Sequence, residues 1–155
     1  MFSQASEYAL RALTELARYP EGEWVLTTQL ADPLELPVHY LAKVLQTLGK
    51  RGLLDSQRGR MGGFRLAKPA VEITAYDVVK ALDDVRTLES CTVGEGECSD
   101  DTACPLHTLW QSLRQRFVEA LETTTLKDLA EFQEQRPGSV RLPAIGERGR
   151  RTSSE

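Results

Sequence analysis

The hydrophobic rhythm of this chain changes at Gly52. Before it, apolar residues recur every three or four positions; after it, in "LLDSQRGRMGGFRLAKP", they alternate. A repeat of about 3.6 residues gives a helix one apolar face, and a repeat of about two gives a strand one. The chain must therefore pack helices against a hairpin that follows the third helical segment. Ala5, Tyr8, Ala9, Ala12, Leu13 and Leu16 mark a first amphipathic helix over residues 4–18, closed by "YPEGE" with Pro20 and Gly22 as breakers. Thr27 reads as the N-cap of a short second helix through Leu30 and Ala31, which Pro33 should stop. Pro37 suits the first turn of a third helix with Tyr40, Leu41, Val44, Leu45 and Leu48 on its buried face, and Gly52 suits a left-handed cap.

The hairpin runs from Leu53 to Gln57, through a Gly-rich turn, and back from Phe64 to Leu66. Gly59, Gly62 and Gly63 permit a tight tip, which carries Arg58 and Arg60. The third helix leaves His39, Ala42, Lys43, Gln46, Thr47 and Lys50 outside its apolar face. Such a mixture of small, amide and cationic groups suits a major groove, and guanidinium groups on a hairpin suit phosphate or a minor groove. A formal net charge of −4 over 155 residues is an odd total for a DNA binder, but it is an average of two halves. Between His39 and Lys68, Lys43, Lys50, Arg51, Arg58, Arg60, Arg65 and Lys68 face one acid, Asp55; from Val71 onward acids prevail. A basic block inside an acidic chain is the footprint of a polyanion partner. Helix, short helix, basic helix and basic hairpin is the order of a winged helix-turn-helix over residues 1–70. Thr28, Pro37, His39, Tyr40, Lys43, Gln46, Lys50, Arg58, Arg60 and Gly62 are its candidate DNA-contacting residues.

Residues 71–133 carry a different task. Thr74 and Asp77 have capping-box spacing ahead of a helix through Val78, Ala81, Leu82 and Val85. Leu106, Trp110, Leu113, Phe117 and Ala120 then step by four and three residues, a spacing suited to a long helix packing on a partner helix. Thr125 and Asp128 repeat the cap before a last short helix anchored by Leu129 and Phe132. Residues 134–155, rich in Pro, Gly, Ser and Arg, read as a disordered tail. The fold class expected is mainly α, a winged helix-turn-helix domain plus a long dimerisation helix. No run of about eighteen apolar residues exists, and Glu7 and Arg11 interrupt the N-terminus, so a cytoplasmic, non-membrane protein is expected.

All three cysteines lie in "CTVGEGECSDDTACPLH", residues 91–107. Zinc knuckles favour cysteine pairs about two to four apart, whereas these gaps of six and five residues suit a loop around a larger object such as an iron–sulfur cluster. "CPLH" would put Cys104 at a helix start, with Pro105 as first helical residue, where the helix end favours a thiolate. His107, one turn on, is a candidate fourth ligand. A reversible Cys98–Cys104 disulfide without metal, structural zinc, a nucleophilic cysteine paired with His107, and a module that binds only protein are the competing readings. The enzyme reading lacks an oxyanion-stabilising loop and an acidic orienting partner.

"YALRAL", "PVHYLAKVLQTLGKRGLL", "RGRMGGFRLAKP", "TAYDVVKALD" and the cysteine segment together resemble the Rrf-type family of winged-helix transcriptional regulators, which includes the iron–sulfur sensors IscR and NsrR. The resemblance covers residues 1–133. It implies a homodimer that binds double-stranded operator DNA as a repressor, with Pro37 to Lys50 as recognition helix and Arg58 to Gly63 as wing tip. It also implies an iron–sulfur cluster, 2Fe–2S or 4Fe–4S, on Cys91, Cys98 and Cys104, responding to redox, nitric oxide or iron–sulfur status. Some members take the fourth ligand as a carboxylate from the first helix of the other subunit; Glu7 stands at that place. No catalytic residue and no small-molecule substrate are implied.

Overall fold

A computed structural model of the chain describes residues 2–84 and 104–136. Cys91, Cys98, Val85 and the tail beyond residue 136 lie outside the described residues. The order of elements is α1 (Gln4–Leu16), α2 (Thr27–Ala31), α3 (Val38–Lys50), β1 (Leu54–Gln57), β2 (Gly63–Leu66), a 3-10 turn (Ala70–Glu72), α4 (Ala75–Leu82), α5 (His107–Thr123) and α6 (Leu126–Gln135). Among the described residues the fold is mainly helical with one two-stranded antiparallel sheet, a winged helix.

α1 is the central helix and packs against α3, α4 and α6. Its periodic residues do what their spacing requires: Ala9, Ala12 and Leu13 are fully buried, together with Leu30, Leu41, Leu45, Leu48, Val78 and Leu126 from the elements around it. Ser3 caps the helix, accepting from the Ser6 N–H, and α1 ends at Leu16, two residues earlier than its hydrophobic pattern suggested.

Two boundaries differ by one residue from expectation. Leu26, not Thr27, is the N-cap of α2; its N–H donates to the Gln29 side chain at 2.8 Å, and Thr27 is already helical. Pro37 is the N-cap of α3 rather than its first residue, with an extended ψ of 112°. Between them the chain turns at Glu35, which takes a φ of +53°. At the other end of α3, Gly52 (φ +79°) permits a double closure: Leu53 N–H donates to Leu48 C=O, and Gly52 N–H to Gly49 C=O. Both orphan carbonyls are satisfied and Leu48 and Leu53 are both buried, so the chain leaves α3 in one direction, into β1.

Both predicted capping boxes form. The Thr74 hydroxyl accepts from Asp77 N–H while the Asp77 carboxylate accepts from Thr74 N–H, and Thr125 and Asp128 do the same. The starts of α4 and α6 are also clasped to each other, Ala75 N–H to Thr124 C=O and Leu126 N–H to Ile73 C=O, both 2.8 Å. α6 is held by Leu126 and Ala130, with Leu129 half-buried against the same core as read; Phe132, expected as a second anchor, is exposed. The reason lies in the clasp, which points Leu126 into the core beside Ile73. α5 differs from the other long helices. Only His107 and Leu121 are buried on it, and Leu109 and Leu113 are 57% and 52% exposed.

Candidate nucleic-acid interface and cysteine site

α3 presents His39, Lys43, Gln46, Thr47 and Lys50 to solvent, with Thr28 exposed on α2 and Pro37 at the α3 entry. Tyr40 joins this face. The sequence pattern assigned it to the core, yet it is 38% exposed and rests edge-on against Tyr8, ring centroids 5.4 Å apart. Three residues ahead of Lys43 on the helix, it lies at the border between the apolar and polar stripes, and Tyr8 takes the inner position. The Thr47 hydroxyl donates back to Lys43 C=O at 3.0 Å, which leaves it a weaker outward donor than Gln46.

The wing follows. β1 and β2 pair in the register Leu54↔Leu66, Asp55↔Arg65, Ser56↔Phe64 and Gln57↔Gly63, and the tip turns over residues 58–62 with Gly62 N–H donating to Gly59 C=O. Arg58 and Arg60 are exposed there. Gly62 is buried in the turn: a Cβ on it would strike the Gln57 carbonyl oxygen, so this residue shapes the tip from inside rather than presenting a surface. Gly63 (φ +127°) is equally constrained, its missing Cβ lying against the Val25 carbonyl.

That contact belongs to a brace the sequence reading missed. Val25 pairs with Phe64 through two backbone hydrogen bonds of 2.9 and 2.8 Å, tying the segment before α2 to the outer strand of the wing. One bridge residue leaves no alternation to detect; the only trace is that Val25 is apolar between two loop boundaries. Next to it, Arg65 lies 4.5 Å from the Trp24 ring centroid and 3.1 Å from the Asp55 carboxylate. Arg65 is thus engaged within the hairpin, unlike Arg58 and Arg60, for which no ion pair exists among the described residues.

Of the four candidate cluster ligands in the segment 91–107, Cys104 and His107 fall within the described residues. α5 begins at His107 with Leu106 as N-cap, so Cys104 and Pro105 precede the helix, contrary to the expectation that Pro105 would be its first residue. The two ligand-type residues are nonetheless joined: His107 N–H donates to Cys104 C=O at 2.9 Å, His107 is 6% exposed and the Cys104 thiol is half-buried. Glu7 sits half-buried on α1 in the wall of an apolar groove of about 490 Å³ shared with Arg11, Leu121 and Phe132. Among the described residues no three His, Cys, Asp or Glu side chains gather in metal-binding geometry, so one chain does not bring Glu7 to Cys104 and His107. Just before the cysteine segment, Asp83 accepts from Ser3 N–H at 3.0 Å. Burial works against its charge, and hydrogen bonds from Ser3 and Ser6 with the N-terminal charge together outweigh that to hold its carboxyl below the usual range. The end of α4 is thereby pinned to the start of α1.

The family model for Rrf2, described as an iron-dependent transcriptional regulator, matches residues 2–131. The chain belongs to the Rrf2 family. The transcriptional regulator NsrR of Shouchella clausii is 36% identical over 80% of this chain and 84% of its own. The regulator IscR of Vibrio vulnificus is 32% identical over 79% of this chain and 72% of its own. Among solved structures, CymR, the global cysteine regulator of B. subtilis, superposes with a TM-score of 0.68 at 30% identity, covering 85% of this chain and 97% of that one. The oxidised form of Staphylococcus aureus CymR superposes at 0.65 with 31% identity, covering 84% of this chain and 96% of that one. This Rrf2-family regulator therefore shares its winged-helix fold with relatives that are named as transcriptional regulators. No helix among its described residues is long and apolar enough to cross a membrane.

Proposed function

We propose that this Rrf2 protein is a homodimeric, DNA-binding repressor, not an enzyme, whose operator affinity is set by an iron–sulfur cluster on Cys91, Cys98 and Cys104. The observation that carries the reading is the join at the head of α5. A half-buried thiol and a buried imidazole stand within one turn of each other, at the start of α5, whose Leu109 and Leu113 are exposed among the described residues. Thiolate sulfur with one imidazole is a donor set that suits iron–sulfur chemistry, and the family's iron-dependent description agrees. His107 and a partner's Glu7 are the two candidates for the fourth position. When bound, the cluster supplies a group that changes charge and ligation with redox state or nitric oxide.

The chain's own residues would turn such a change into DNA affinity. α3 would present Tyr40, Lys43, Gln46 and Lys50 to a major groove, with Thr28, Pro37 and His39 near phosphates, while Arg58 and Arg60 follow the backbone into the adjacent minor groove. Pairing of two chains through Leu109 and Leu113 would set the spacing of two such readers. The Asp83–Ser3 bond ties the end of α4, ahead of the cysteine segment, and the Thr74–Thr125 clasp ties the far end of α5 to the body that carries α3. A shift at the head of α5 would then move one reader relative to the other, and half-site spacing tolerates little movement.

Anaerobically purified protein should carry broad visible absorption with matching iron and sulfide. Cys98→Ala should lose both, and lose signal response, while remaining dimeric; a full cluster in that variant would refute the site. Arg58→Ala should weaken DNA binding and leave the iron content unchanged. A second reading, a metal-free Cys98–Cys104 switch of the same fold, is favoured by the similarity to a CymR solved in an oxidised form. Protein with no iron or sulfide, but with two thiols lost and regained on oxidation and reduction, would establish it instead.

A further inference from the structure

The wing tip holds the most exposed large apolar side chain among the described residues. Met61 is 85% exposed; Leu109, the next, is 57%. The turn leaves it nowhere else to go. Residues 59–62 close through Gly62 N–H to Gly59 C=O, so Arg60 and Met61 occupy the two outer corners. Behind them, Gly62 and Gly63 are pressed against the carbonyls of Gln57 and Val25 with no room for a Cβ, and the Val25–Phe64 bridge braces the strand. A backbone-packed turn thus holds an unbranched thioether out in water next to Arg60 and two residues beyond Gly59, with Arg58 exposed on the same tip. An isolated surface methionine needs no partner, but one held at the corner of a braced basic tip is aimed at whatever the arginines bind. Methionine is among the apolar side chains that wedge against base steps in a minor groove, and its three rotatable bonds let it follow an uneven floor.

We infer that Met61 is an apolar DNA contact, packing on sugar and base edges of the minor groove beside Arg58 and Arg60. The inference rests on the DNA-binding reading above. It gives the two tip residues separable roles: Arg60 supplies phosphate affinity that salt screens, and Met61 supplies contact that salt does not.

The test uses the full-length protein and a duplex enriched from a randomised pool by the wild type, with affinity measured across a salt series. Met61→Ala and Met61→Gln should each bind about tenfold more weakly, the equivalent of about 1.4 kcal/mol, with an unchanged salt slope, and Met61→Leu should stay within about twofold of the wild type. Arg60→Ala should instead lower the slope by about one. If Met61→Ala binds as tightly as the wild type while Arg58→Ala is weakened, the contact does not exist. If Met61→Ala is weakened together with a lowered slope, the substitution has displaced the arginines and the inference is equally overturned. If neither arginine variant changes binding, the wing reading itself falls.

Discussion

Gly63 shows how much of this fold rests on single side chains that are absent. It pairs with Gln57 in the hairpin, holds a φ of +127°, and lies where a Cβ would meet the Val25 carbonyl. Substitution therefore meets both a strained backbone and a clash with main chain that is itself hydrogen-bonded to Phe64. Gly63→Ala should cost about 1–3 kcal/mol in urea denaturation and loosen the wing; an unchanged midpoint would mean that the brace yields easily. The sequence showed that glycine was needed near the tip. It could not separate Gly62 and Gly63, whose constraint comes from packed backbone, from Gly59, which has open space around its Cα. Tyr40 is the opposite case, an aromatic on the apolar stripe that another aromatic displaces to the surface. Only the placement of Tyr8 decides that.

At the scale of elements, the local signals were the most legible. The two Thr-x-x-Asp boxes, the Gly52 cap and the change from helical to alternating rhythm each involve residues a few positions apart, and each forms as read. The starts of α2, α3 and α5 moved by one or two residues because their caps are not the residues with the strongest capping preference: Leu26, Pro37 and Leu106 hold those places. The Thr74 box does more than start a helix, since it also seats the clasp between α4 and α6. Thr74→Ala should destabilise the protein by about 1 kcal/mol, read as a shift in denaturation midpoint with an unchanged m-value. Loss of a cooperative transition would show the clasp to be indispensable to folding.

In the whole molecule, α1 serves two sets of neighbours at once. It packs on α3, with its exposed basic face, on one side and on α4 and α6 on the other, so α4, ahead of the cysteine segment, shares one core with the wing. Against that closed core, α5 stands out. Leu106, Leu109 and Leu113 are each more than half exposed, a row that the elements among the described residues leave open. Leu109→Glu with Leu113→Glu should leave the fold's stability within about 0.5 kcal/mol and give a monomer by analytical ultracentrifugation; a variant of unchanged mass would place the interface elsewhere. The sequence alone determined the winged-helix order, the basic block and the three-cysteine segment, because charge, turn chemistry and apolar period are properties of neighbours along the chain. The tertiary structure alone decided that Val25 braces the wing, that Tyr40 faces outward, that Gly62 is buried while Met61 projects, and that Leu121 is buried on α5 while Leu109 and Leu113 are exposed. Those outcomes depend on which distant surfaces meet, and one-dimensional spacing carries no record of that.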